Sequence, residues 1–349
     1  MPHPPTVYDV AAHARVSIAT VSRVIRDPST VKPETRTRVL QAIDDLGYVP
    51  SASARGLAAR RTNVIGLFFP RHDDSGLGAP LVTTHSSRVE VVRDDEPHDI
   101  ENLYYDEVLR GAELEASRRG FALMIASGTG VQLESLVTDL AGRVDGLAVL
   151  AGTVPEPILE KLARRIPVAI LGGDGAHDRF DHVSVNNGPG MHALTEHLVE
   201  SGATTFAYIA GPEHVADDEE RFGGFSQAVG DRPVEFRRGD FTRRGGRRAA
   251  TTLDDIPDAI VCANDQTALG VLDVLQRRGI PVPEKVLVTG FDGIAAGRHS
   301  TPSLTTVHQP MAELGRAAIH VITERLEHPD AERITLTLPV TVLLRESAP

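Results

Sequence analysis

The sequence predicts a small N-terminal all-α domain followed by a larger α/β core of two doubly wound layers. Up to residue 47, apolar residues recur at helical spacing between capping residues; from Asn63 onward, short apolar runs alternate with helical segments. Charge divides at the same place. Residues 1–62 hold nine Lys and Arg against five Asp and Glu, which gives this region a net charge of +4. The rest of the chain carries −16, so that the whole chain has a net charge of −12. A basic domain on an acidic body directs a polyanion to one end of the molecule.

The first two predicted helices are close enough to form a helix-turn-helix unit. Thr6 fits an N-cap, with Asp9 three residues on to reach back to it, which predicts a helix from Val7 to Ala14. Ser17 fits a second N-cap, so a second helix opens at Ile18 after a turn of about three residues. The second helix of such a unit can enter the major groove of DNA.

A third helix and a segment of small residues complete this region. Pro33 fits the first helical position and Gly47 the C′ position. The following residues, 50–62, are mostly small residues and arginines, and Leu57 is their only large apolar side chain. Gly56 lowers helix propensity, so a helix of about nine residues here should be unstable in isolation and form only on DNA.

Several ordered motifs resemble one known family. Tyr8-Asp9-Val10-Ala11, Val16-Ser17 and Thr20-Val21-Ser22-Arg23-Val24 look like the headpiece of the LacI–GalR family of bacterial transcriptional repressors. Residues 31–50 resemble that family's third helix and residues 54–62 its hinge helix. The resemblance implies a helix-turn-helix headpiece at 1–49, a hinge helix or linker at 50–62 and an effector-binding core at 63–346.

One position in the headpiece departs from the family pattern. The family usually has glycine in the turn where this chain has Arg15. If the backbone there needs a positive φ, an arginine costs roughly 1 kcal/mol relative to glycine.

The resemblance also assigns a DNA-reading surface. Ile18 and Ala19 are short enough for apolar contact with a thymine methyl, and Arg23 can bind guanine O6 and N7 bidentately, with a phosphate contact as the alternative. Leu57 becomes the wedge that enters the minor groove and kinks the duplex. The predicted DNA-binding residues are Thr6, Tyr8, Ser17, Ile18, Ala19, Thr20, Ser22, Arg23, Ala54 and Leu57.

The core pattern resembles the same family's effector domain, which is like a periplasmic sugar-binding protein. The implied periplasmic-binding-protein-like core has two doubly wound subdomains, expected at about 63–172 with 309–338 and at about 173–308 with 339–346. A second series of strands is predicted to open at Val183–Val185, and the last strand to run unbroken from Ile334 to Leu343. Residues 72–97 are an insertion relative to the family, and predict either a surface loop or a lid over the cleft.

Candidate ligand-binding residues follow predicted strand ends, where α/β sheets bind ligands. Arg221, Asn264 and Asp292 match family motifs, as do Phe241 and Gln309. Arginine and aspartate can bracket vicinal hydroxyls while an aromatic ring stacks on a sugar, although each residue could instead serve only the fold. The family frequently has aspartate where this chain has Gly172, a residue with no side chain to bind a ligand.

Several classes of protein are disfavoured. Cys262 is the sole cysteine, no apolar stretch approaches 18 residues, and the N-terminus lacks a signal-peptide core, so a cytoplasmic protein without membrane contact is expected, nucleoid-associated when bound to DNA. The sequence shows no dinucleotide fingerprint, nucleophile elbow or metal-ligand spacing. Catalysis, a cofactor and a metal are therefore not expected.

The leading hypothesis is a homodimeric repressor that binds a near-palindromic double-stranded operator and is gated by a small polar ligand, a sugar or sugar derivative. Two alternatives stay open: a cytoplasmic small-molecule-binding protein, and a regulator controlled by a protein partner instead of a sugar.

Overall fold

The computed structural model describes residues 5–49, 61–70, 103–128, 130–173, 175 and 179–349. The chain divides into two compact units, a headpiece (residues 1–64 with 143–145) and a core (residues 65–142 and 146–349). The predicted hinge residues Ala54 and Leu57 and the insertion at 72–97 lie outside the described residues.

The headpiece contains the three predicted helices, α1 (Val7–Ala14), α2 (Ile18–Arg26) and α3 (Pro33–Leu46). Their apolar stripes meet in a small core of buried residues, among them Val10, Val21, Val24 and Val39. Burial of one stripe from each helix leaves the polar face of α2 exposed, as an amphipathic helix requires.

The predicted caps define the helix ends. The Asp9 carboxylate accepts hydrogen bonds from the Thr6 backbone amide and hydroxyl, both at 2.7 Å. The Ser17 hydroxyl accepts from the Thr20 amide at 3.2 Å and so caps α2. Gly47 ends α3 in the left-handed conformation at φ 60°.

Arg15, which replaces the glycine usual in the family, adopts the left-handed backbone conformation. It follows α1 with φ 53° and ψ 48°, in the left-handed region, and its amide bonds to the Ala11 and Ala12 carbonyls. The turn between α1 and α2 therefore keeps a glycine-like backbone with an arginine in it, at a cost in strain.

Within the described residues, the core has two six-stranded sheets with helices packed against them. The first layer contains β1 (Val64–Pro70), α4 (Leu103–Arg118), β2 (Ala122–Gly128), α5 (Leu133–Ala141), β3 (Gly146–Leu150), α6 (Glu156–Ala163), β4 (Val168–Leu171), β5 (Asp181–Val185), α12 (Met311–Glu327) and β11 (Thr335–Leu338). The second contains α7 (Asn187–Glu200), β6 (Phe206–Ala210), α8 (Ala216–Val229), β7 (Val234–Arg238), α9 (Arg243–Thr251), β8 (Ala259–Cys262), α10 (Asp265–Arg277), β9 (Leu287–Asp292), α11 (Ala295–Arg298), β10 (Thr305–His308) and β12 (Thr341–Leu343).

The strand order is β11-β5-β4-β3-β1-β2 in the first sheet and β12-β10-β9-β8-β6-β7 in the second. The pairs from β11 to β1 are parallel, as is the second sheet except for the antiparallel β12 at its edge. Parallel strands end at a common edge, so the loops after β3, β4, β8, β9 and β10 can meet.

Two predictions about the layers were wrong. The strand at Val183–Val185 opens no second series, because β5 pairs with β4 and β11 in the first sheet. The chain thus crosses between layers after Val185 and not after Gly172. The strand predicted from Ile334 to Leu343 is two strands, one in each sheet, and the prediction also overlooked β10. Strand periodicity cannot report which sheet a strand joins.

Helices α4 and α12 of the first layer pack closely against each other. A Cβ at Gly111 of α4 would lie 1.8 Å from the Ala312 carbonyl oxygen, and one at Gly315 of α12 would lie 1.9 Å from that of Val108. Helices α4 and α12 therefore approach each other backbone to backbone, which fixes the N-terminal end of α4 beside the second crossing at Gln309.

We predict that Arg15→Gly stabilises the headpiece by about 0.5–1 kcal/mol, because relief of left-handed strain exceeds the added entropy of the unfolded chain. Native-state hydrogen exchange of the α2 amides measures the change. Ala12→Gly, at an exposed position inside α1, should lower the same protection by about 1 kcal/mol. Loss of protection in Arg15→Gly would contradict the strain argument.

Candidate functional site: a recognition helix and a polar cleft

The headpiece presents the N-terminal part of α2 to solvent. Ile18, Ala19, Ser22 and Arg23 are exposed, while Thr20 is half-buried beneath them. The described residues offer Arg23 no hydrogen-bond or ion-pair partner, so its guanidinium is available to an outside ligand. Tyr8 of α1 is 69% exposed, an unusual position for an aromatic side chain without a binding role. Of the other predicted DNA-binding residues, Thr6 and Ser17 act as helix caps.

The last linker residues are held by one carboxylate. Asp145 accepts hydrogen bonds from the Thr62 amide (2.6 Å) and hydroxyl (2.8 Å) and from the Asn63 amide (2.8 Å). Three donors on one partly buried carboxylate fix the backbone of residues 62 and 63 just before β1.

The core holds a cleft between its two layers, at the carboxyl ends of the strands. The lining residues are Tyr104, Tyr105, Leu150, Ala151, Val215, Asp217, Arg221, Phe241, Asn264, Gln266, Asp292, Ile294 and Gln309. This set includes all five predicted ligand-binding residues, and it draws side chains from both layers.

Arg221 of α8 is buried and largely engaged by the protein. Its Nε donates to Asn187 Oδ1 and its Nη1 to the Ala263 carbonyl, both at 2.8 Å. The guanidinium lies 3.8 Å above the centre of the Phe291 ring and 3.7 Å from Asp292 Oδ1. These contacts offset its desolvation, and they leave Nη2 as the nitrogen without a described partner.

Asp292 lies at the end of β9 in a strained conformation, with φ 116°. Gln309 Nε2 donates to its Oδ1 at 2.6 Å, so the second strand crossing is tied to the cleft. Burial raises the pKa of Asp292 from 3.8 to about 6, although Arg221 and Gln309 act in the opposite direction. Its Oδ2 has no partner among the described residues.

Phe241 and Asn264 form a pair in which the amide supports the ring. Phe241 has φ 63°, and Asn264 Nδ2 donates to its carbonyl at 3.0 Å. Asn264 Oδ1 meanwhile caps α10 by accepting from the Thr267 amide. Asn264 therefore lines the cleft with both polar atoms already bonded, and its clearest role is to position the ring.

Sequence reasoning missed Tyr104, Tyr105, Asp217 and Gln266. The two tyrosines open α4 from the first layer, with ring centres 5.4 Å apart, and burial raises the pKa of both. A pair of aromatic residues at the start of a helix, directly after the insertion, was the available signal. Asp217 gave none, because its neighbours Asp218 and Glu219 make it look like ordinary first-turn charge.

The structure explains why residue 172 is a glycine. It follows β4 with φ +89°, and a Cβ there would lie 2.8 Å from Asp217 Oδ2. The Asp217 carboxylate thus occupies the space that a side chain at 172 would need, and the Gly173 amide donates to its Oδ1 at 3.0 Å.

An exposed recognition helix in a helix-turn-helix unit, together with a polar cleft between two α/β layers, defines a class: bacterial DNA-binding transcriptional regulators. The model for "Bacterial regulatory proteins, lacI family" matches residues 6–51, and that for "Periplasmic binding protein-like domain" matches residues 195–348. Catabolite control protein A of Staphylococcus xylosus is 30% identical over 96% of both chains. The HTH-type transcriptional repressor PurR of Aliivibrio fischeri strain MJ11 is 31% identical over 98% of both. The protein belongs to the LacI family.

Solved structures agree with this assignment. A CelR transcriptional regulator in complex with cellobiose is 30% identical, with a TM-score of 0.68 over 98% of this chain and 99% of that one. The Lac repressor dimer bound to operator and the anti-inducer ONPF shares the fold, with a TM-score of 0.81 and 24% identity over 99% of each chain. Within the described part of the chain, no helix has the length and apolar character to cross a bilayer.

The raised pKa of Asp292 makes core stability depend on pH. An acid that holds its proton more tightly in the folded state contributes stability below about pH 4, and this is lost as pH rises through about 6. We expect the free energy of unfolding of the wild type, relative to Asp292→Asn, to fall by about 1 kcal/mol between pH 5 and 7.5. Denaturant titrations at both values measure it. Exposed Asp231→Asn controls for the removed charge, and an unchanged difference would contradict the buried-acid interpretation.

Proposed function

We propose that the protein is a cytoplasmic, homodimeric transcriptional repressor whose affinity for operator DNA is set by a small polar ligand, a sugar or sugar derivative. The observation that carries the proposal is the cleft itself. Asp217, Arg221 and Asp292 line this cleft, each with one polar atom that has no hydrogen-bond partner among the described residues, in the same chain as an exposed recognition helix.

The arrangement of α2 supports sequence-specific DNA binding. Ile18 and Ala19 offer small apolar contacts and Arg23 a free bidentate donor, all on one exposed face. The Lac repressor structure is a dimer bound to operator, and two headpieces related by a two-fold axis require a near-palindromic site. By family resemblance, paired Leu57 side chains would favour a flexible pyrimidine–purine step at its centre.

The chemistry of the cleft supports a carbohydrate. Carboxylate oxygens accept from vicinal hydroxyls, Arg221 Nη2 donates, and the Phe241 and tyrosine rings supply faces for a sugar. The solved CelR relative holds cellobiose, whereas the curated relatives are named for catabolite control and as PurR. The alternative hypothesis is a regulator that is controlled by a protein partner, and a cleft that binds no sugar would favour it.

Gating follows from contacts on both layers. A ligand that touches Asp217 or Asp292 on one side and Tyr104 on the other fixes the angle between the layers. A change in that angle alters the spacing of the two hinges in a dimer, and a hinge helix stable only on DNA is a bistable element. The coupling is bounded by the ligand's differential affinity, typically about 1–3 kcal/mol.

Arg23→Ala should weaken binding to the cognate operator by about 1–3 kcal/mol and relax preference at one base pair. Fluorescence anisotropy titrations with the cognate site, single-base variants and random DNA measure both effects. Arg38→Ala, which removes an exposed arginine from α3, is the matched control. Equal losses on cognate and random DNA would reduce Arg23 to a phosphate contact.

Two further variants separate ligand binding in the cleft from operator binding. A thermal-shift screen of sugars first identifies a stabilising probe, because a ligand of the native state raises its stability. Asp292→Ala should keep operator affinity but lose the probe's effect on it. Leu57→Ala should weaken operator binding and leave probe binding to the DNA-free protein intact. Isothermal titration for the probe and anisotropy for the operator measure both affinities.

Asp231→Ala serves as the control for the removal of an aspartate. A full response to the probe in Asp292→Ala would place the ligand outside this cleft. A probe that binds without changing operator affinity would contradict gating.

A further inference from the structure

We infer that Asp217 sets the chemical class of the effector: an uncharged polyhydroxyl compound or one that carries an amino group, and not a phosphorylated or carboxylated one. This inference rests on the proposed function, since it concerns the ligand of the same cleft. It assigns a specificity-determining role to a residue that no sequence motif singled out.

The two oxygens of Asp217 have different surroundings. Oδ1 accepts both protein hydrogen bonds, from the Gly173 amide at 3.0 Å and from Asn187 Nδ2 at 3.1 Å. Oδ2 receives no hydrogen bond from any described residue, and the side chain lines the cleft. The carboxylate is thus fixed in orientation by one oxygen and presents the other to a ligand, as a preorganised acceptor does.

Asp292 shows the same division. Its Oδ1 receives Gln309 Nε2 at 2.6 Å and lies 3.7 Å from Arg221 Nη1, while Oδ2 has no partner in the described part of the chain. Two carboxylates held in this way offer two fixed acceptors, and hydroxyl or ammonium groups are the donors that complete them.

The charge balance of the cleft points against an anion. Among the described lining residues, the carboxylates of Asp217 and Asp292 face a single cation, Arg221, whose Nε and Nη1 are already bonded. A phosphate or carboxylate bound here would place a third negative charge beside two others with only Nη2 to offset it. In a partly buried site this repulsion is weakly screened.

The position of Asp217 also joins the two layers. It lies in the first turn of α8, in the second layer, and bonds to Gly173 after β4, in the first. Gly172 lies beside it with φ +89°, a conformation that favours glycine, and a Cβ there would approach Oδ2 to 2.8 Å. A donor that binds Oδ2 therefore binds at the seam, where ligand contacts bear most directly on the angle between the layers.

The test is a charge-matched panel on the full-length protein: glucose, galactose, ribose and cellobiose, each beside its available amino, carboxylate and phosphate derivatives. Isothermal titration gives the affinities. We expect the tightest member to be neutral or amino-bearing, with its carboxylate or phosphate counterpart weaker by about tenfold or more. A tighter anionic derivative, or no binding by every neutral and amino member at the highest soluble concentration, would overturn the inference.

The variant that isolates the residue is Asp217→Asn. Its amide oxygen can keep both bonds now made by Oδ1, while the free acceptor becomes a donor. We expect the tightest ligand to lose about tenfold in affinity and its advantage over the anionic counterpart to shrink. Glu219→Gln makes the same charge change at an exposed position of α8 outside the cleft. Equal behaviour of the two variants would overturn the assignment of Asp217.

Operator titrations on the same proteins keep this inference separate from the proposed function. A ligand with the expected charge preference that leaves operator affinity unchanged would refute gating and leave the role of Asp217 intact. An anionic ligand that changes operator affinity would support gating and refute the role of Asp217.

Discussion

The geometry of the cleft depends on one buried carboxylate that does not line it. Asp265, fully buried at the start of α10, accepts hydrogen bonds from the Gly293 and Ile294 amides and from the Thr306 hydroxyl. Burial, with the nearby charge of Asp292, raises its pKa well above the usual value. The three donors hold the turn after β9 against β10, which keeps Asp292 in its strained backbone conformation.

On the second-layer side of the cleft, polar side chains are held by hydrogen bonds to the protein. Asp217, Arg221 and Asp292 there each have one atom bonded to the protein and another without a partner among the described residues. A polar group held in this way is oriented by the protein and still has an atom free to bind, which is how a small pocket can gain specificity from few residues. The first layer contributes mainly aromatic surface, through Tyr104 and Tyr105.

Local signals predicted local structure well. The caps at Thr6 and Ser17 fixed the ends of the headpiece helices to the residue, because capping chemistry depends only on neighbours along the chain. The five predicted cleft residues also came together, since parallel strands bring their ends to one edge. Membership of a sheet was harder, as β5 shows, because partners distant in sequence decide it. The place of Asp217 in the cleft could not be predicted for the same reason, because it depends on the space beside Gly172, which belongs to the other layer.

The last strands carry a consequence for how the chain folds during synthesis. The first sheet lacks its edge until β11 is available, and β12 together with Ser347 completes the second through bonds to Thr305 and Val288. Neither layer of the core can be completed before the ribosome has polymerised nearly all 349 residues. The apolar cluster of the headpiece is formed by residues 7–48 alone, all of which are synthesised early. A nascent polypeptide can therefore hold a formed headpiece before its core is complete, and a chain that terminates near residue 335 would carry the headpiece without a completed core.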